Sequence, residues 1–261
     1  MKILTTKTIH SKIAIIITAA GSSTRIGGGI KKEYLPYKNG TVLSVCAETF
    51  LNAFADIKGI EITDFIVTCP KGGVEMCREA LGNMDCFASR FLSLSKGAMT
   101  IVEGSDTRQK SVYNGLLAVT GQPDIVLIHD GARPFVSREV IIEALEAAIQ
   151  YGASVPGVTP TDTQKEIDSD GFITRHLVRN NLTAVQTPQC FEFEKLLEAH
   201  GRAAADNREY TDDTEIWGEY CGRVRVTKGD VNNIKITYPS DLETLKRVQG
   251  DVTVMGDRGC L

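Results

Sequence analysis

Residues 13–20 read Ile13-Ala-Ile-Ile-Ile-Thr-Ala-Ala20 and run straight into Gly21-Ser-Ser-Thr-Arg25-Ile-Gly-Gly-Gly-Ile-Lys-Lys32. This apolar run, rich in β-branched residues and closed by glycine, reads with Lys12 as a buried strand over Lys12–Ala20, the kind found in parallel sheets covered by helices. The chain beyond it agrees. We read further strands at Phe65–Cys69, Met99–Val102, Asp124–Asp130, Ala153–Val158, Ala184–Gln186, Val224–Thr227 and Ile234–Thr237. Apolar residues at helical spacing predict helices over Thr41–Phe54, Val74–Leu81, Arg108–Val119, Val136–Tyr151, Glu192–Ala205, Asp212–Tyr220 and Asp241–Val248. Ser137 and Gly152 are placed to cap the helix between them. The alternation predicts one α/β domain over residues 1–261, a mainly parallel sheet with helices on both faces. The pattern breaks at about 160–181, which is polar and carries the turn signal Asp168-Ser-Asp-Gly171. We read it as a β-arm inserted outside the sheet. The tail at 249–261 has no period and is expected to fray.

Composition narrows the function classes. Lys and Arg total 29 against 33 Asp and Glu, which argues against a broad basic surface for nucleic acid but leaves room for a local basic pocket. The run at 13–20 is far short of the ~20 apolar residues that a membrane helix needs. The first residues, MKILTTKTIHSK, lack a signal-peptide core, so a cytoplasmic protein without membrane contact is expected. The seven cysteines form no CxxC pair and the four histidines no HExxH cluster; we expect reduced structural thiols and no protein-built metal site.

Four places could carry chemistry. The segment after the first strand is neither GxGxxG nor GxxxxGK[ST], so it is not a dinucleotide or P-loop fingerprint. It is a Gly/Ser turn with Arg25 and Lys32 close behind. Such a turn can bring backbone N–H groups to a phosphate, and it can equally be a surface loop with solvated cations. Gly104-Ser-Asp-Thr-Arg-Gln-Lys-Ser111 follows a strand and opens a helix. There Asp106 is a natural N-cap, or the loop presents donors and an acceptor to a base edge. His129-Asp-Gly-Ala-Arg-Pro134 ends a central strand with a carboxylate, either a site group or half of an Asp130–Arg133 ion pair. In Asn233-Ile-Lys-Ile-Thr237, strand alternation sets Lys235 opposite Ile234 and Ile236, either toward a site or on an exposed sheet face.

Taken together, these stretches resemble a known family. Ala19-Ala-Gly21, Arg25, Lys32-Glu-Tyr-Leu35, Gly104-Ser-Asp-Thr-Arg108, Ser111, His129-Asp-Gly-Ala-Arg-Pro134, Gln186-Thr-Pro-Gln189, Thr211-Asp-Asp213 and Asn233-Ile-Lys-Ile-Thr237 occur in order. They are similar to the 2-C-methyl-D-erythritol 4-phosphate cytidylyltransferases of non-mevalonate isoprenoid synthesis, over roughly Lys12 to Val248. Enzymes acting on ribitol 5-phosphate share most of these stretches. Asp162-Thr-Gln-Lys165, Arg175 and Val178-Arg-Asn-Asn-Leu182 match the methylerythritol branch better. The resemblance implies a Rossmann-like nucleotidyltransferase fold and a transferase that joins CTP to methylerythritol phosphate with release of pyrophosphate. Another polyol phosphate as acceptor, or a non-catalytic nucleotide-binding protein, are the competing readings.

By the same resemblance, Arg25 and Lys32 stabilise the transition state, and the backbone of Ala19, Ala20 and Gly21 holds the nucleotide. Gly104, Asp106 and Ser111 recognise the cytosine, and Asp130 faces the ribose or a Mg²⁺-bound phosphate. Thr163, Arg179 and Lys235 grip the acceptor. Mg²⁺ is expected to arrive mainly on the CTP phosphates, and the arm to pack on a second subunit in a homodimer. Two residues depart from the family's pattern. Ser23 stands where glycine is common, which is harmless if its φ is negative. Lys31 stands where proline is usual, which is expected to loosen the loop.

Overall fold

The computed structural model describes residues 10–21, 23, 31–82 and 95–245, so most of the expected phosphate loop, with Arg25, and the tail lie outside the described residues. The deciding stretch forms β1 (Ser11–Thr18), and its period of two sorts its side chains onto two faces. Ile13, Ile15 and Ile17 join one core cluster, and Ala14 and Ile16 another, all fully buried. Each buried isoleucine contributes on the order of 1.5–3 kcal/mol, so a one-residue slip of β1 would exchange the two faces.

The following strands are β2 (Pro36–Tyr37), β3 (Gly40–Thr41), β4 (Ile60–Cys69), β5 (Ser95–Glu103), β6 (Ile125–Asp130), β7 (Ala153–Val158), β8 (Lys165–Ile167), β9 (Ile173–His176), β10 (Ala184–Val185), β11 (Gln189–Glu192) and β12 (Arg225–Lys228). The helices are α1 (Val42–Phe54), α2 (Val74–Ala80), α3 (Arg108–Leu117), α4 (Arg138–Tyr151), α5 (Phe193–Ala205) and α6 (Asp213–Tyr220). The main sheet runs β10-β7-β11-β6-β1-β4-β5, with β12 on β7. Pairings β1–β4, β1–β6, β4–β5 and β7–β12 are parallel; β10 and β11 run antiparallel to their neighbours. Helices α1, α2 and α4 cover one face and α3, α5 and α6 the other.

Local chemistry agrees with these elements. Thr41 and Ser44 form a reciprocal capping box on α1. The Ser137 hydroxyl caps α4, and Gly152 ends it with a φ of 86°, a left-handed conformation suited to glycine. The arm is a hairpin of β8 and β9 closed at Asp168–Gly171. Asp241–Val248 corresponds to helical turns at 239–245, where the described residues end.

Two expectations about these elements fail, and one strand was not foreseen. Ile234–Thr237 is not a strand: the segment is extended but makes no ladder, and Ile236 N–H bonds the Ala132 carbonyl at 2.8 Å. Periodicity reported its half-buried alternation correctly but cannot tell a strand from a tethered loop. Side-chain amides do the tethering, with Gln186 Nε2 on the Asp230 carbonyl (2.8 Å) and Asn233 Nδ2 on the Thr187 carbonyl (3.0 Å). Asp106 is not the cap of α3; the Thr107 hydroxyl accepts Lys110 N–H at 3.2 Å instead. The antiparallel β11, wedged between β6 and β7, has no counterpart among the predicted strands because its four residues are too few to show a period.

Candidate active site

The chain runs from β1 outward to β4 and β5, then returns to the other side of β1 as β6. Beyond the carboxyl ends of strands that diverge in this way lies the usual ligand crevice of an open α/β sheet. A cavity of about 390 Å³ opens there, between the ends of β1 and β6, the loop that follows β5, and the 233–237 segment.

Asp130, the last residue of β6, is buried at the cavity floor. Lys235 Nζ lies 3.0 Å from its Oδ2, Arg133 Nε 3.1 Å from the same oxygen, and Arg108 Nε 3.8 Å from Oδ1. Burial works to raise its carboxyl, but Lys235, Arg108 and Arg133 prevail and hold it far below the usual carboxylate range. The Asp130–Arg133 ion pair is therefore real, and it is one part of a cluster of three cations. Lys235 enters that cluster because the tethered segment sets it opposite Ile236 and toward the cavity, not on an exposed sheet face.

The two arginines are braced from behind. Arg133 Nη1 donates to the Asn233 carbonyl at 2.8 Å. Arg108 Nη1 meets fully buried Asp213 at 2.7 Å, and His200 Nε2 meets the other oxygen of that carboxylate at 3.1 Å. Gln189 links this brace to the sheet, accepting Asp213 N–H (3.2 Å) and donating to Asp212 (3.0 Å). The stretches 186–189 and 211–213 thus act on the cavity through Arg133 and Arg108.

His129, next to Asp130, turns the other way. It is fully buried against the Phe50 ring, and burial lowers its imidazole to about 4. The Thr187 hydroxyl meets Nδ1 at 2.9 Å and the Arg133 carbonyl meets Nε2 at 3.2 Å, which fits a neutral ring carrying its proton on Nε2. It is a core group and not a base in the cavity.

The loop after β5 forms one wall. A Cβ on Gly104 would collide with the Ala20 Cβ and lie 2.7 Å from Ser111 Oγ, so glycine is required by close approach. Buried Ser111 Oγ accepts Ser105 N–H at 2.9 Å and lies 2.8 Å from the Thr107 carbonyl, which shapes the loop. Asp106 is exposed at the rim, paired with Lys110 at 3.0 Å. Opposite stand Gly21, Ser23, Lys32 and Glu33; Lys32 and Glu33 belong to a short 3₁₀ turn and are buried. Burial raises the Glu33 carboxyl above its ordinary value.

Of the residues singled out in the sequence, Ala20, Gly21, Lys32, Asp106, Ser111, Asp130 and Lys235 line this cavity, and Gly104 packs against its wall. Ala19 lies beneath it, its amide bonded to the Thr68 carbonyl at 3.0 Å. Arg25 is outside the described residues. Thr163 and Arg179 are exposed on the arm and do not line the cavity, and Arg179 Nη1 donates to the Thr161 carbonyl at 3.0 Å. Sequence reasoning missed the part played by Arg108, Asp213 and Glu33. A signal existed for Arg108, since a cation on the first turn of a helix opposes the macrodipole and implies a compensating anion.

Among the described residues no three His, Cys, Asp or Glu side chains gather into a metal-ligating group, and no helix is long and apolar enough to cross a membrane. Cys46, Cys69, Cys77 and Cys190 are free and buried.

Comparison with known proteins points to one family. The family profile described as IspD: 2-C-methyl-D-erythritol 4-phosphate cytidylyltransferase matches residues 13–248. A protein of that name from Clostridium novyi (strain NT) is 39% identical over 232 residues, 89% of this chain and 94% of its own. One from Caldanaerobacter subterraneus subsp. tengcongensis is 38% identical over 230 residues, 88% of this chain and 95% of its own. The crystal structure of the enzyme of that name from Thermus thermophilus matches with a TM-score of 0.67 and 30% identity, over 90% of this chain and 97% of its own. That of 4-diphosphocytidyl-2C-methyl-D-erythritol synthase from Anaerococcus prevotii matches with a TM-score of 0.70 and 27% identity, over 93% and 97%. The chain belongs to the 2-C-methyl-D-erythritol 4-phosphate cytidylyltransferase family.

Proposed function

We propose that this chain transfers the cytidylyl group of CTP to 2-C-methyl-D-erythritol 4-phosphate and releases pyrophosphate. The observation that carries the reading is the buried Asp130 ringed by Lys235, Arg133 and Arg108 in a cavity that Lys32 also lines, on a chain of this family. The acceptor's phosphate attacks the α-phosphorus of CTP. A phosphomonoester has its second pKa near ~6, so the nucleophile is ionised at neutral pH and needs no general base. A cavity floor without a free imidazole suits that chemistry. The obstacle is bringing two anions together, and fixed cations lower it by positioning and by charge stabilisation.

In this reading Lys32 and Arg25 stabilise the transferring group and the leaving pyrophosphate. Ala20 and Gly21 hold the triphosphate side, with Ala19 supporting them from the sheet. Gly104, Ser111 and Asp106 face the cytosine, the first two by fixing the wall and Asp106 at its rim. Lys235 links acceptor and floor. A divalent ion suits the donor set as a partner of the nucleotide: Asp130 is the carboxylate on the cavity floor, and Mg²⁺ usually keeps waters and substrate phosphates as its other ligands. Asp130 Oδ1, the looser of its two oxygens toward the cations, is the atom that would touch it. The ion would supply charge neutralisation on the triphosphate.

The arm supports a homodimer. It leaves Phe172 71% and Ile167 65% exposed, side chains that call for a second surface, and a symmetric pair of chains supplies one. Thr163 and Arg179 would then serve the neighbouring subunit's acceptor site, Arg179 with a planar fork suited to phosphate.

Pyrophosphate release tests the reading. CTP with methylerythritol phosphate should turn over, ribitol 5-phosphate should be a poor acceptor, and UTP a poor donor because a site built for an exocyclic amine leaves groups unpaired with uracil. Preference for ribitol 5-phosphate would overturn the acceptor assignment. Equal use of UTP would remove the base-reading role of the 104–111 loop.

A further inference from the structure

The two departures from the family's pattern sit on opposite ends of one loop, and both make bonds across it. Ser23 has a φ of 54°, not the negative angle that would make a serine harmless there. Side-chain-bearing residues seldom occupy that region unless their surroundings hold them in it. Here the hydroxyl does the holding. Ser23 Oγ accepts Lys32 N–H at 3.3 Å and donates to Glu33 Oε2 at 3.3 Å. Beside it Lys31 Nζ donates to the Gly21 carbonyl, so this lysine ties the loop where a loosening was expected. Burial lowers the Lys31 ammonium somewhat, with Glu33 opposing. Three bonds therefore join residues 21–23 to residues 31–33, at the wall of the cavity.

We propose that Ser23 and Lys31 form a clasp that positions Lys32 for the transferring phosphoryl group. Glycine at 23 would relieve the backbone and proline at 31 would stiffen it, but neither could make these bonds. The clasp does with side chains what a Gly and Pro pair does with backbone preference. Ser23 is thus a positioning residue that acts through Lys32, and this inference rests on the cytidylyl-transfer reading.

The test compares the full-length wild type with Ser23→Ala, Ser23→Gly, Lys31→Ala, Lys31→Arg and the double variant Ser23→Ala/Lys31→Ala, by steady-state kinetics and by amide hydrogen exchange at Lys32. Losing such a bond should lower kcat roughly 3–10-fold in both Ser23 variants, with the KM for CTP within about twofold. Lys31→Arg should retain the wild-type kcat. The double variant should be no more than about twofold worse than the worse single one, because the bonds act as one unit. Lys32 N–H should exchange slowly in the wild type and roughly tenfold faster in Ser23→Ala. The clasp is overturned if Ser23→Gly keeps full kcat, if the losses multiply, if only KM rises, or if Lys32 N–H is unprotected in the wild type. An inactive wild type with a protected Lys32 amide would instead sink the cytidylyl-transfer reading and leave the clasp standing.

Discussion

The floor of the cavity and the arm are built on opposite principles. At the floor, Asp130 is buried among three cations, and Arg108 and Arg133 are themselves anchored to Asp213 and Asn233. In the arm, β8 and β9 pair with each other and their residues are exposed. Burial fixes the floor before any ligand arrives, which is what electrostatic stabilisation of a transition state requires. The arm has no core of its own, and its apolar Phe172 and Ile167 are left exposed. A site assembled from both regions would have one preorganised half and one half supplied by assembly.

The floor should break first and hardest. Asp130→Asn leaves three cations facing a neutral amide, and removing one partner of a buried charge cluster costs about 3–5 kcal/mol, the lower end fitting the part-exposed Lys235. Urea unfolding measures it; a loss under about 1 kcal/mol would mean the cluster does not act as a unit. Lys32→Ala should lower turnover by about 10²–10³, or ~3–4 kcal/mol, with much less change in CTP affinity. Near-wild-type turnover would remove Lys32 from the chemistry.

Acid should weaken the floor at His129. Its folded value of about 4 lies below an unfolded value near 6.5, so in that window the unfolded chain binds a proton that the folded chain excludes. Stability therefore falls as pH drops from about 6.5 to 4, by up to ~3 kcal/mol from this group, and His129 contributes no slope above that window. Asp130 has the opposite kind of shift, a depressed carboxylate, and its contribution is lost only as pH falls through its own very low value. In His129→Gln the slope of unfolding free energy between pH 4 and 6.5 should flatten; an unchanged slope would place the titration elsewhere. The arm should be the least sensitive. Phe172→Ser should alter the chain's own unfolding by no more than about 0.5 kcal/mol, as expected for an exposed side chain. The same substitution should weaken self-association in sedimentation, and undiminished association would contradict an arm-built dimer.

The sequence made the sheet and its edge legible because burial on both faces writes unbroken apolar runs such as 13–17, and because helix caps such as Ser137 and Gly152 have local causes. It did not show the tethered segment at 233–237 as a loop, since the amides that hold it, Gln186 and Asn233, lie 47 residues apart. The Arg108–Asp213 pair spans 105 positions and is invisible to any local pattern. For Lys235 alternation gave only the face opposite Ile234 and Ile236, and its place in the site came from the resemblance. The alternative that made Asp106 the helix cap failed because capping chemistry cannot distinguish it from Thr107, its neighbour by one residue. Ser23 could be judged only once its φ was known.

Subunit mixing probes the contrast between floor and arm most directly. Lys32→Ala and Arg179→Ala, each nearly inactive alone, are combined under conditions that let chains exchange, and pyrophosphate release is followed. If the floor of one chain works with the arm of another, each heterodimer holds one site with both native residues, and activity should return toward a quarter of the wild-type level for random pairing. Heterodimers that form and stay inactive would show that Lys32 and Arg179 act within one chain, which contradicts the account.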